Sequence, residues 1–86
     1  MFEFDPAKSA ANLAKHGIDF EAARALWLDD RRQTPKSERP GEETRWLVIG
    51  MIQDVGWTAI VTHRGDRVPI ISVRRARKEE MALYGN

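Results

Sequence analysis

Apolar residues recur at helical spacing over roughly the first third of the chain and at strand-like spacing in its second half, with a charged, broken stretch between. Asp5-Pro6 reads as a helix start, because the carboxylate can accept from free backbone N–H groups while proline occupies a position that needs no donor. Ala7, Ala10, Ala11 and Ala14 then form a narrow apolar stripe, and Gly17 offers the left-handed residue that ends a helix, which predicts a helix over residues 6–16. Asp19 caps a second helix running to about Leu28, with Phe20, Ala23, Leu26 and Trp27 on one face and Ile18 stapled back on Ala23. From Asp29 to Glu43 nine of fifteen residues are charged, and Pro35, Pro40 and Gly41 interrupt the chain, so a surface loop is expected with one short edge strand around Arg31–Thr34.

Three segments rich in β-branched and aromatic residues follow, Arg45–Ile52, Trp57–His63 and Arg67–Arg74. The connections Gln53-Asp54-Val55-Gly56 and Arg64-Gly65-Asp66 are short enough for consecutive hairpins, giving an antiparallel meander of three to four strands. Pro69 cannot donate a ladder hydrogen bond, which assigns the third segment to a sheet edge or gives it a local break. A closing helix from about Arg77 to Tyr84 stops at Gly85. Helices and strands that do not alternate as βαβ predict an α+β fold, with helices packed on one face of the sheet.

With 86 residues and 9.9 kDa, the chain has room for a single domain spanning residues 1–86, without repeats or linkers. Two of its three tryptophans, Trp27, Trp46 and Trp57, are expected to fill the core, and Trp57 at a strand start is placed to face a partner. No cysteine is present, which removes disulfides and thiolate chemistry, and two histidines make a structural metal site an unfavoured expectation; no cofactor is expected. The longest apolar run, Trp46 to Ile52, is far shorter than the ~18 residues of a spanning helix. The opening Met1–Pro6 lacks the features of a secretory signal, so a cytoplasmic location without membrane association is expected.

The net charge of +1 says little, but its distribution is uneven: residues 1–54 carry −2, residues 55–78 carry +5, and residues 79–86 carry −2. The basic segment holds Arg64, Arg67, Arg74, Arg75, Arg77 and Lys78, enough to attract a phosphate backbone if the fold gathers it on one face. Dispersed over the surface, the same residues form only a solvated rim.

Phe4-Asp5-Pro6-Ala7-Lys8, Asn12 and Lys15-His16-Gly17-Ile18-Asp19-Phe20-Glu21-Ala22-Ala23 resemble the opening of the BrnT toxins. The resemblance continues through Arg45–Gly50, Arg64-Gly65-Asp66-Arg67, Ile70–Ala76, Glu80 and Tyr84. It implies a fold similar to the RelE/ParE toxins and metal-independent endoribonuclease activity that arrests translation. It further implies neutralisation by a BrnA-type ribbon-helix-helix antitoxin in a heterotetramer that touches operator DNA only through the antitoxin. The chain departs from the family at Phe4, where tryptophan is usual, near Arg77, where a serine or threonine is usual, and at Glu79, Met81 and Ala82, which are often basic in relatives.

Metal-free RNA cleavage needs a base for the 2′-hydroxyl proton, an acid for the leaving 5′-oxygen, and cations for the extra phosphate charge. His16 can serve as base or acid, with Glu80 as its partner if the Glu80 pKa is raised. Arg64, Arg67 and Arg74 offer bidentate phosphate contacts, and Lys15, Arg75 and Lys78 offer further positive charge for RNA. Tyr84 can stack on a base or pack the last helix on the sheet. Lys15-His16-Gly17 equally suits a plain helix end, and Glu80 a surface pair with Arg77 or Lys78. Arg67 and Arg74 lie seven apart, so in a regular strand they face opposite sides. The rival reading is a non-catalytic module that binds antitoxin or nucleic acid; a gyrase-directed toxin rests on fold analogy alone.

Overall fold

The computed structural model describes residues 1–38 and 40–85. Its elements are β1 (Phe2–Glu3), α1 (Pro6–His16), α2 (Phe20–Ala23) with a 3-10 turn over Arg24–Leu28, β2 (Lys36–Ser37), β3 (Arg45–Ile52), β4 (Val55–Val61), β5 (Val68–Arg75) and α3 (Lys78–Tyr84). The five strands stand in the order β1-β5-β4-β3-β2. The expected α+β meander of β3, β4 and β5 is there, but the sheet is larger than a meander. β2 adds to β3 antiparallel, and β1 adds to β5 in parallel.

α1 begins and ends as its sequence dictates. The Asp5 carboxylate accepts from the Ala7 N–H at 2.8 Å, and Gly17, at φ 83°, returns its N–H to the Leu13 carbonyl at 2.9 Å. Its buried side is not the expected stripe, however. Ala7, Ala10, Ala11 and Ala14 face solvent, and Ser9 and Asn12 are buried. The reason lies in β5, whose outer edge is paired by β1 only at Val68 and Pro69. Further along, Asn12 takes the place of a neighbouring strand: its Nδ2 donates to the Val73 carbonyl at 2.9 Å and its Oδ1 accepts from the Val73 N–H at 3.1 Å. Nδ2 also donates to the Ile18 carbonyl at 2.8 Å, and Ser9 Oγ accepts from the Phe20 N–H at 2.9 Å. Main-chain groups too close to the helix to reach water decide the packing face.

The core lies between this helical layer and one face of the sheet, with Ile18, Phe20, Ala23 and Leu26 packed on Val48, Ala59, Val61, Ile70 and Val73. Phe2, Phe4 and all three tryptophans are half-buried around it, so Trp57 is not set apart from the other two. The second helix is shorter than expected, since α-helical geometry ends at Ala23 and tightens to 3-10 through Leu28. The edge strand expected around Arg31–Thr34 reduces to a Gln33 bridge to Ile49, with regular pairing only at Lys36–Ser37.

β3 and β4 are joined by Gln53 and Asp54 alone, both left-handed at φ 49° and 66°, in a tighter hairpin than the expected four-residue turn. Gly56 therefore belongs to β4, where a Cβ would sit 2.5 Å from the Met81 sulfur of α3. Pro69 does not mark a sheet edge, because β1 covers it, but the local break is present: Ile60 pairs with Ser72 and Val61 with Ile70, leaving Ile71 as an extra residue. Across β3, β4 and β5, Ile49, Thr58 and Arg74 lie in register and point away from the core. α3 crosses that second face, so the helices are divided between the two faces.

Candidate active site: an arginine cleft on the open face

Arg74 stands next to the last residue of β5, and strand alternation turns its side chain toward the face crossed by α3. Its guanidinium forks onto Glu80, Nη1 to Oε1 at 2.7 Å and Nη2 to Oε2 at 2.8 Å. Glu80 Oε1 also accepts from Thr58 Oγ1 at 2.9 Å and from the Arg77 N–H at 2.8 Å. The last of these supplies the helix start that Arg77, having no side-chain oxygen, cannot cap itself. The Glu80 side chain is 8% exposed and that of Arg74 21%. The bidentate Arg74 contact, reinforced by the Arg77 N–H and Thr58 hydroxyl and opposed by burial, holds the Glu80 carboxyl at a pKa of about 2. The same pairing raises that of Arg74.

This network is the inner wall of a cleft of about 220 Å³. Arg45 and Arg77 join Arg74 around it, Leu47 and Ile60 provide apolar surface, and Ser37, Glu42 and Glu43 complete the lining. Neither Arg45 nor Arg77 makes an ion pair among the described residues. β3, β5 and the link before α3 thus place three guanidinium groups around one small space, with one of them locked in orientation. Such a space suits a phosphate, whose oxygens match the guanidinium fork.

Of the residues singled out in the sequence, Arg74 and Glu80 meet here, although Glu80 lacks the raised pKa that proton transfer would require. Arg64 lies beside the cleft, paired with Glu43 at 3.2 Å; this contact pulls the Glu43 carboxyl below its usual range. Arg67 is paired with Glu3 at 3.0 Å, away from Arg74. Lys15 and His16 end α1, on the opposite side of the sheet, and neither lines the cleft. Arg75 points to the core side, its guanidinium 5.4 Å from the Trp57 ring centroid. Lys78 is exposed at the first turn of α3. Tyr84 donates its hydroxyl to Asp29 at 2.7 Å with Arg31 over its ring, an anchor for α3 rather than a free stacking platform. That hydrogen bond raises the Tyr84 pKa and lowers that of Asp29.

Arg45, Arg77 and Thr58 were not singled out by sequence as site residues. The alternation within Arg45–Ile52 carried a usable signal, since it puts Arg45 on the side of Leu47 and Ile49. Among the described residues no group of three His, Asp or Glu side chains is placed to hold a metal ion, and no helix is long and apolar enough to cross a membrane.

A family model described as "Ribonuclease toxin, BrnT, of type II toxin-antitoxin system" matches residues 4–80. The chain belongs to the BrnT family. The match takes in every arginine of the cleft and ends at Glu80, its buried partner. No curated protein matches the chain significantly. As a BrnT-family member it is a ribonuclease toxin of a type II toxin–antitoxin system, and its counterpart is a protein antitoxin.

Proposed function

We propose that this BrnT-family chain is a metal-independent endoribonuclease that cuts RNA at the arginine cleft and thereby arrests translation. The fold is read as RelE/ParE-like, supported by the paired N-terminal helices, the antiparallel meander and the terminal helix. Its inhibitor is read as a BrnA-type ribbon-helix-helix antitoxin forming a heterotetramer, in line with the family resemblance. The observation that carries the reading is the Arg74 guanidinium, fixed by Glu80 at the wall of a cleft it shares with Arg45 and Arg77.

In this reading a 2′-hydroxyl attacks the adjacent phosphate, releasing the 5′-oxygen and leaving a cyclic phosphate. The three guanidinium groups neutralise the charge that builds on the phosphate oxygens. Glu80, ionised near neutrality and with both oxygens engaged, positions Arg74 and moves no proton. Glu42, the cleft carboxylate without an ion pair among the described residues, takes the 2′-hydroxyl proton, and water protonates the leaving oxygen. His16, on the other side of the sheet, has no step.

The test is cleavage of a labelled single-stranded RNA in EDTA by the wild type and by Arg74→Ala, Glu42→Gln and His16→Ala. Activity survives EDTA, falls by about 100-fold or more in Arg74→Ala, falls by a smaller factor in Glu42→Gln, and is unchanged in His16→Ala. Full activity in Arg74→Ala, or loss in EDTA reversed by magnesium, overturns the reading. Glu80, the carboxylate bonded to Arg74, is held well below its ordinary pKa by that contact, which favours, as second reading, a module that binds without cutting. Expression without growth arrest and without RNA damage would select it.

A further inference from the structure

Beside the arginine cleft lies a wider groove of about 530 Å³, and the two share Glu43 and Arg45. Phe4, Pro69 and Ile71 give the groove apolar surface, and Lys8 and Arg64 contribute cationic side chains. Ile71 is the residue left over by the break in β4–β5 pairing, so the bulge turns an aliphatic side chain to the groove where a regular ladder would have paired it. The acidic groups there already have partners: Glu3 holds Arg67, Glu43 holds Arg64, and Asp5 caps α1. What remains is an apolar surface, with Lys8 and Arg45, neither in an ion pair among the described residues, as the available cations.

We propose that this groove is a second nucleotide subsite, which takes an unstacked base of the RNA strand adjoining the scissile phosphate. The inference rests on the ribonuclease reading and deepens it by naming the substrate class as single-stranded RNA longer than a dinucleotide. A strand seated on Arg74 and Arg77 continues past Arg45, which lines both clefts, and its next phosphate reaches Lys8. A neutral, partly apolar surface suits a base, and flanking cations suit the backbone. A base within a duplex is stacked and paired and cannot enter.

The experiment compares two-nucleotide and six-nucleotide RNA in two readouts: binding of uncleavable 2′-O-methyl oligonucleotides, and cleavage of the corresponding unmodified ones. The wild type binds the hexamer about tenfold or more tightly than the dinucleotide, the size of one base placed on a stacking or apolar surface. Ile71→Asp and Lys8→Glu each remove most of that advantage and leave dinucleotide cleavage within about twofold of wild type. Lys8 is exposed on α1, so Lys8→Glu carries the test if Ile71→Asp does not fold. Equal affinity for the two lengths, or a length advantage kept by the folded variants, overturns the subsite. Failure of the ribonuclease reading looks different: the wild type then cuts neither RNA, while the length dependence of 2′-O-methyl binding persists and supports the groove on its own.

Discussion

On the side of the sheet that α1 covers, Ser9 and Asn12 are buried neutral groups whose hydrogen-bond partners are main-chain atoms. On the other side Thr58, Arg74 and Glu80 bond chiefly to one another, and two of the three carry charge. Asn12 repairs a defect of architecture, a strand edge left without a neighbour, and Ser9 satisfies the N–H of the first residue of α2. A buried ion pair repairs nothing of the kind, because desolvating two charges cancels much of their attraction and apolar residues of similar volume are often as stable. Its presence on the open face therefore points to a use for the charge itself, whereas on the covered face polarity serves only the fold.

The sharpest way to break this contrast is to remove the acidic partner. Glu80→Ala leaves the Arg74 guanidinium half-buried and uncompensated, with an expected loss of about 3–5 kcal/mol of stability in a denaturant titration, together with loss of RNA cleavage. A milder route is acid. The folded Glu80 pKa of about 2 lies below the ordinary 4.5, so its contribution is complete above pH 4.5 and disappears as pH falls toward 2. That span corresponds to about 3 kcal/mol, and thermal melts across it should show a slope that flattens in Glu80→Gln. Asn12→Ala should cost about 2–3 kcal/mol by stranding the Val73 and Ile18 groups, lowering the melting temperature by about 10 °C or more. Cleavage per folded molecule should stay unchanged, and a fall of tenfold would erase the distinction between the two faces. The smallest effect is expected at Glu43→Gln. Its pair with Arg64 is half-exposed on both sides, so stability should hold, while Arg64, released, should tighten RNA binding by a few-fold.

The parts of the fold read correctly from sequence are those with local causes. Asp5, Pro6 and Gly17 set both ends of α1 within the helix itself, and the β-branched run Arg45–Ile52 marks β3 without reference to anything else. What depended on distant chain was misread. The alanine stripe looked apolar enough to be the packing side, but the choice was made by the Val73 backbone, 61 residues from Asn12. Gly56 invited a turn, although its lack of a side chain answers to Met81, and the turn fell to two non-glycine residues. At the candidate site, Arg74 and Glu80 stood out by charge and position. His16 also stood out by chemistry, but a helix end does not tell which side of a sheet it will occupy. Arg45 joined the site only once strand register showed which side chains share a face, and Arg77, one of six cations in the basic segment, only once the start of α3 was placed beside the end of β5.

The short strand β1 also bears on the order in which the molecule assembles. β3, β4 and β5 are joined by tight connections, so their pairing closes small loops and loses little chain entropy. β1 reaches β5 across nearly the whole chain, and the bond from the Met1 ammonium to the Asp66 carbonyl spans 65 residues. With two residues in the ladder, it gains little for so long a closure. β1 should thus be the last strand to arrive during folding and the first to detach, with the amide hydrogens of Phe2 to Phe4 exchanging well before those of the meander.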